Sequence, residues 1–233
     1  MKGILVLGGA SLGFLTIPFI ALLALTGVAS TAVACTSDIA GELASNAPIP
    51  AAARSWVAIA HQSCPVLPPS YIAAMMAQES GFRPDAYADD SNGGTWGLLQ
   101  VNASIWLHAY GSPWSADLNN NGIWDIKEPE IHSAIGGRYL CDRLAGVRAI
   151  RADHPEWAST RELSELDALV VAHNAGEGRL RSYPRIPSIT ARYIQDVRAH
   201  TTAWAGTYMA AATATPETCG QPPTPHGPYG PGT

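Results

Sequence analysis

Between Pro68 and Asn102 the chain reads PPSYIAAMMAQESGFRPDAYADDSNGGTWGLLQVN, and this stretch restricts the fold more than any other. Tandem Pro68 and Pro69 suit a helix start, where the first N–H groups have no intrahelical partner to lose. Ile72, Met75, Met76 and Glu79 follow at 3.6-residue spacing, which puts a carboxylate on the face that the apolar residues bury. Ser80 and Gly81 close the helix, Gly81 as a left-handed cap. Burial and the negative end of the helix dipole both act against an ionised carboxylate there, which is the situation of a general acid. The alternative is a Glu79 side chain that curls out to solvent.

The second half of the stretch is Gly93-Gly94-Thr95-Trp96-Gly97-Leu98-Leu99-Gln100-Val101-Asn102. Such a glycine density lets backbone approach a ligand closely, and Gln100 offers an amide to sugar hydroxyls and acetamido groups. Glu-Ser-Gly-Phe-x-Pro followed by Gly-Leu-Leu-Gln resembles the lytic transglycosylases and goose-type lysozymes, which share a lysozyme-like α fold. The resemblance implies that Glu79 is the catalytic acid and that the Gly-Leu-Leu-Gln segment, with Gln100, lines a glycan cleft. Two later segments extend it, so that it covers about residues 52 to 200. Ala172-His173-Asn174-Ala175-Gly176 is similar to the Ala-Tyr-Asn-Ala-Gly motif of transglycosylases, with His173 where the family has the Tyr that helps fix the acid. Thr190-Ala191-Arg192-Tyr193 resembles the Thr-x-x-Tyr helix that closes one wall of the cleft. The substrate contacts expected from the resemblance are Ser91, Gln100, His173, Asn174 and Tyr193.

Residues 117 to 128, Asp-Leu-Asn-Asn-Asn-Gly-Ile-Trp-Asp-Ile-Lys-Glu, carry the register of an EF-hand loop. Asp117, Asn119, Asn121, Asp125 and Glu128 fall at positions 1, 3, 5, 9 and 12, Gly122 at the turn position, and Ile123 supplies a backbone carbonyl at position 7. A hard cation needs six or seven oxygens, and this spacing wraps them around one point. Structural calcium is therefore the expected cofactor, with no organic one, and a calcium loop here also resembles some exported bacterial transglycosylases. A metal-free Asn-Gly turn is the plainer alternative.

The ends of the chain read differently. Residues 3 to 37 carry no charge, and Ile4 to Val28 are almost wholly apolar. Ala32-Val33-Ala34 fits a cleavage site, yet the apolar run is long enough to stay as a signal anchor, and Cys35 offers a lipidation site. All three outcomes place the remainder outside the cytoplasm, with residues 4–28 as the candidate membrane anchor; a buried core helix is the other option. The expected division is a leader over 1–34, a linker over 35–51, a mostly α lysozyme-like domain with an inserted calcium loop over 52–213, and a disordered Pro/Gly-rich tail over 214–233. Helices are expected over about 51–61, 103–110, 129–151, 162–173 and from about 186 to 213. Four cysteines allow three connectivities; Cys64–Cys141 is the expected pair, leaving Cys35–Cys219. A net charge of −5 without a basic run argues against nucleic acid as a partner.

The expected activity is cleavage of the β-1,4 bond between N-acetylmuramic acid and N-acetylglucosamine in peptidoglycan glycan strands, with a 1,6-anhydromuramoyl product. The rival is a lysozyme that uses Asp89 or Asp90 as second carboxylate. A further alternative is a non-catalytic glycan-binding part of a conjugation or secretion system.

Overall fold

A computed structural model describes residues 42–89 and 93–206. The apolar segment over 4–28, Cys35, Asp90, Ser91, Cys219 and the Pro/Gly-rich tail lie outside the described residues. Seven α-helices and one small hairpin make up the domain: α1 (Ala51–Ser63), α2 (Pro69–Ser80), β1 (Tyr87–Ala88), β2 (Thr95–Trp96), α3 (Ala103–Tyr110), α4 (Pro129–Asp153), α5 (Ala158–Glu162), α6 (Glu165–Ala175) and α7 (Ser188–Trp204). Short 3-10 turns at Asp125–Lys127 and Glu177–Ser182 lead into α4 and out of α6. No helix among the described residues is long and apolar enough to cross a membrane.

Helix α2 is the axis of the core. Six consecutive residues, Tyr71 to Met76, are almost wholly buried, so this helix is covered on all sides rather than on one stripe. Gly81 caps it in the left-handed conformation, as the sequence indicates. Helices α1 and α7 pack against it, and α6 meets it where the Tyr71 hydroxyl donates to the Leu166 carbonyl at 3.2 Å. The approach of α1 to α4 depends on Gly137, since a Cβ there would lie 2.4 Å from the Ala60 carbonyl oxygen. A Cys64–Cys141 disulfide joins the same two helical segments.

Two expected helices differ in their bounds. The helix expected over 162–173 is α6, which starts at Glu165 and ends at Ala175, because Ser164 leaves the helical path and its Oγ accepts the Asp167 N–H at 3.1 Å as an N-cap. Helix α5, which ends at Glu162, precedes it and is not among the expected helices. Helix α7 ends at Trp204 instead of near 213. There Ala205 turns out to bridge Leu43, and the Gly206 N–H donates to the Glu42 carbonyl. Arg54 reinforces this corner by donating to the Ala44, Ser45 and Ala47 carbonyls.

Candidate active site

Glu79 stands in the last turn of α2, its side chain 14% exposed, and does not curl away into solvent. Its Oε1 is gripped from two helices. His173 of α6 lies with Nε2 2.8 Å away, and the Tyr193 hydroxyl of α7 donates to the same oxygen. The far side of His173 meets the Tyr139 hydroxyl of α4, 3.2 Å from Nδ1. Burial pushes the Tyr193 hydroxyl well above its ordinary value, and the Glu79 carboxylate adds to this. Burial also raises Tyr139. Both phenols therefore keep their protons and serve as donors. An ionised Glu79 only accepts, so His173 donates from Nε2–H and receives the Tyr139 proton at Nδ1. The chain of bonds runs Tyr139 to His173 to Glu79, with Tyr193 closing from the other side.

This arrangement distinguishes the two carboxylate oxygens. Oε1 holds two donors, while no described residue bonds Oε2, so a proton carried by Glu79 resides on Oε2. That is the oxygen from which an acid can deliver it.

The Gly-Thr-Trp-Gly-Leu-Leu-Gln segment is fastened to the end of α2. Ser80, buried beside Glu79, shares its one Oγ–H between the Leu98 carbonyl at 3.0 Å and the Met76 carbonyl at 3.1 Å. Gly97, at φ +77°, packs under His132 so tightly that a Cβ would lie 2.3 Å from Nδ1. His132 is fully buried at the start of α4. Its Nδ1–H donates to the Ile126 carbonyl at 2.9 Å, and its Nε2 accepts the Leu99 N–H at 3.2 Å. Burial drives its pKa down to about 4, so the ring is neutral. Neither Ser80 nor His132 stands out in the sequence as part of the site. The Glu-Ser pair hints at the first, but nothing marks the second as a staple between distant segments.

The expected substrate contacts separate on inspection. Gln100 adopts a left-handed backbone at φ +47°, and its amide is used inside the protein. Nε2 donates to the Ala86 and Gly97 carbonyls at 3.1 and 3.0 Å, and Oε1 accepts the Thr95 hydroxyl at 2.8 Å. His173 and Tyr193 hold the acid, and Asn174 is exposed with Oδ1 accepting the Thr190 hydroxyl at 2.6 Å. Ser91 lies outside the described residues, as does Asp90; Asp89 is exposed. Trp106, one of two tryptophans flanking the Gly-Leu-Leu-Gln segment, is core, whereas Trp96 is half-buried. Between α3 and α4 an open cavity of about 280 Å³ is lined by Ser104, Ile105, His108, Tyr139, Arg143 and Glu177, reaching the Tyr139 end of the chain of bonds.

The loop over 117–128 is laced by its own side chains. Asp117 accepts the Asn121 and Gly122 N–H groups at 3.0 and 2.8 Å, and Asn121 Oδ1 accepts the Ile123 N–H at 2.8 Å. Asn119 and Glu128 meet side by side, 2.9 Å apart. Asp125 is the departure. It is buried, its carboxylate accepting the Tyr110 hydroxyl at 2.6 Å and the Leu118 N–H. Among the described residues no three His, Cys, Asp or Glu side chains converge on one point. The Asp117, Asn119 and Asn121 side-chain oxygens accept loop N–H groups, and Asn119 turns its Nδ2 to the Glu128 carboxylate. Position 9 of such a loop often acts through water, which a buried Asp125 leaves open.

No curated protein matches the chain. Residues 57–194, from the middle of α1 into α7, match the family described as the Transglycosylase SLT domain. That span holds Glu79, Ser80, His132, Tyr139, His173 and Tyr193, and the chain belongs to this family of peptidoglycan-acting, lysozyme-like domains.

Proposed function

We propose that the protein is a peptidoglycan lytic transglycosylase that cuts the bond between N-acetylmuramic acid and N-acetylglucosamine. The observation that carries this reading is a largely buried carboxylate, Glu79, held on one oxygen by Tyr193 and His173. Oε2–H protonates the glycosidic oxygen as the C1–O bond breaks. The muramoyl 6-hydroxyl then attacks C1 and returns its proton to Glu79, so a 1,6-anhydro ring forms and no water is consumed. Tyr193, His173 and Tyr139 keep Oε1 fixed while Oε2 exchanges the proton. Gln100 shapes the cleft wall by bracing its own turn, and Asn174 and Ser91 complete the substrate contacts.

We also assign structural calcium to Asp117, Asn119, Asn121, the Ile123 carbonyl and Glu128, with Asp125 behind them. The site of action is outside the cytoplasm, where the glycan is.

Mass analysis of muropeptides released from purified cell wall tests the chemistry. The expected products end in 1,6-anhydromuramoyl residues, one water lighter than hydrolytic ends. Reducing muramic acid as the dominant end, lost on replacing Asp89 and Asp90 by Asn, would instead establish a lysozyme.

A further inference from the structure

Away from Glu79, the surface richest in unassigned chemistry is an aromatic ledge where the hairpin meets the loop over 117–128. Trp96 and Trp124 meet edge to face with centroids 6.2 Å apart, and Tyr87 lies 4.6 Å from Trp96. The Lys127 ammonium sits 4.4 Å from the centre of both indole rings. Tyr87 and Trp124 remain 48% and 40% exposed. Lys127 and Lys2 are the only lysines in a sequence whose other cations are all arginine. Among the described residues no carboxylate pairs with Lys127. The ledge therefore presents aromatic surface together with a fixed cation that lacks an anion. It stands on the strand that runs directly into Gly97-Leu98-Leu99-Gln100, whose Leu98 carbonyl is bonded by Ser80 beside Glu79.

We propose that this ledge is a glycan subsite, in which Trp124 and Tyr87 stack on a sugar face and Lys127 pairs with a carboxylate carried by a muramoyl residue. The proposal rests on the glycan reading above. The shared chemistry is an acid on the muramoyl substituent, whether the lactyl acid of a bare strand or an acid of the peptide stem. Stacking on aromatic faces and a charge-assisted bond supply shape and sign together. A lone lysine on a chain of net charge −5 is a poor attractor for an anionic lipid surface, which draws clusters of cations.

Calorimetry on the full chain carrying Glu79→Gln, which preserves the ligand, provides the test. The probes are chitotetraose, a bare tetrasaccharide alternating N-acetylglucosamine and N-acetylmuramic acid, and the same tetrasaccharide with peptide stems. Lys127→Met is expected to weaken a carboxylate-bearing probe about tenfold, the loss of one charge-assisted bond, and to leave chitotetraose unchanged. The probe that shows the loss identifies the acid. Trp124→Ala is expected to weaken all three, and Lys127→Arg to keep most of the affinity. If the parent binds and both Lys127→Met and Trp124→Ala stay within twofold of it, the subsite is refuted and the glycan reading stands. A parent that binds none of the probes refutes both. An equal loss on chitotetraose overturns the pairing with an acid. Binding to phosphatidylglycerol vesicles that Trp124→Ala abolishes, at unchanged sugar affinity, would give the ledge to a membrane. Should Trp124→Ala not fold, Lys127→Met decides alone.

Discussion

Two donors on one oxygen of Glu79 decide which side chains matter and by how much. Glu79→Gln keeps a carbonyl oxygen for Tyr193 and His173 and loses only the transferable proton. Clearance of purified cell wall should fall by about 10²–10⁴-fold, the usual worth of general acid catalysis, with an unchanged melting temperature. Tyr193→Phe removes one donor from a charged acceptor, worth about 1.5–3 kcal/mol. It should slow turnover by about one to two decades. At the neighbouring position His173→Tyr retains a donor for Oε1 and should outperform His173→Phe in the same assay. Glu79 is legible in the sequence because a 3.6-residue period and a glycine cap fix both its face and its place in the helix. Tyr139 is visible only as a residue near the apolar face of α4, since its use as a donor to His173 depends on how α4 and α6 cross.

Helix and loop boundaries follow the same division. Prolines at helix starts and glycines at helix ends read directly from the sequence, as both do in α2 and Gly111 does at the end of α3. The break at Leu163–Ser164 requires weighing a serine cap against an unbroken apolar period, and the early end of α7 depends on pairing with Leu43, far away in the chain. The His132 staple is equally hidden, yet it has the clearest pH signature. An unfolded chain protonates this ring near pH 6.5, whereas the folded chain resists down to about 4. Stability is therefore full above about pH 6.5 and declines as pH falls toward 4, by about 3 kcal/mol across the window. Urea melts at pH 7 and 4.5 should show that loss, and His132→Gln, which does not titrate, should flatten it. In the adjoining loop, 1 mM calcium acting on a site with Kd of about 10⁻⁴ M should add about 1.4 kcal/mol. Melting with calcium and with EDTA measures it, and Glu128→Ala should erase the difference.

On the scale of the whole domain, the Cys64–Cys141 bond spans 77 residues of sequence, including the α2 acid, the hairpin and the loop over 117–128. Loop-closure entropy for a ring of that size is worth about 4.5 kcal/mol. Cys64→Ser with Cys141→Ser should lower the urea midpoint and raise the m-value, because the unfolded chain is then free to expand. The acid and its two holders lie on α2, α6 and α7, so their meeting requires the domain to be closed from start to finish. The corner that completes this closure is the bridge from Leu43 to Ala205, with the Gly206 N–H on the Glu42 carbonyl. Considered as a path, the backbone from residue 42 to residue 206 is very nearly a ring, with Glu42 and Gly206 within a hydrogen bond of each other. Chain order is then incidental to the architecture: a peptide link across that gap and a cut in an exposed loop elsewhere would preserve every contact around Glu79. The same geometry means that anything joined before residue 42 or after residue 206 attaches at a single corner. A tension applied through both ends would pull on that corner before it reached the acid.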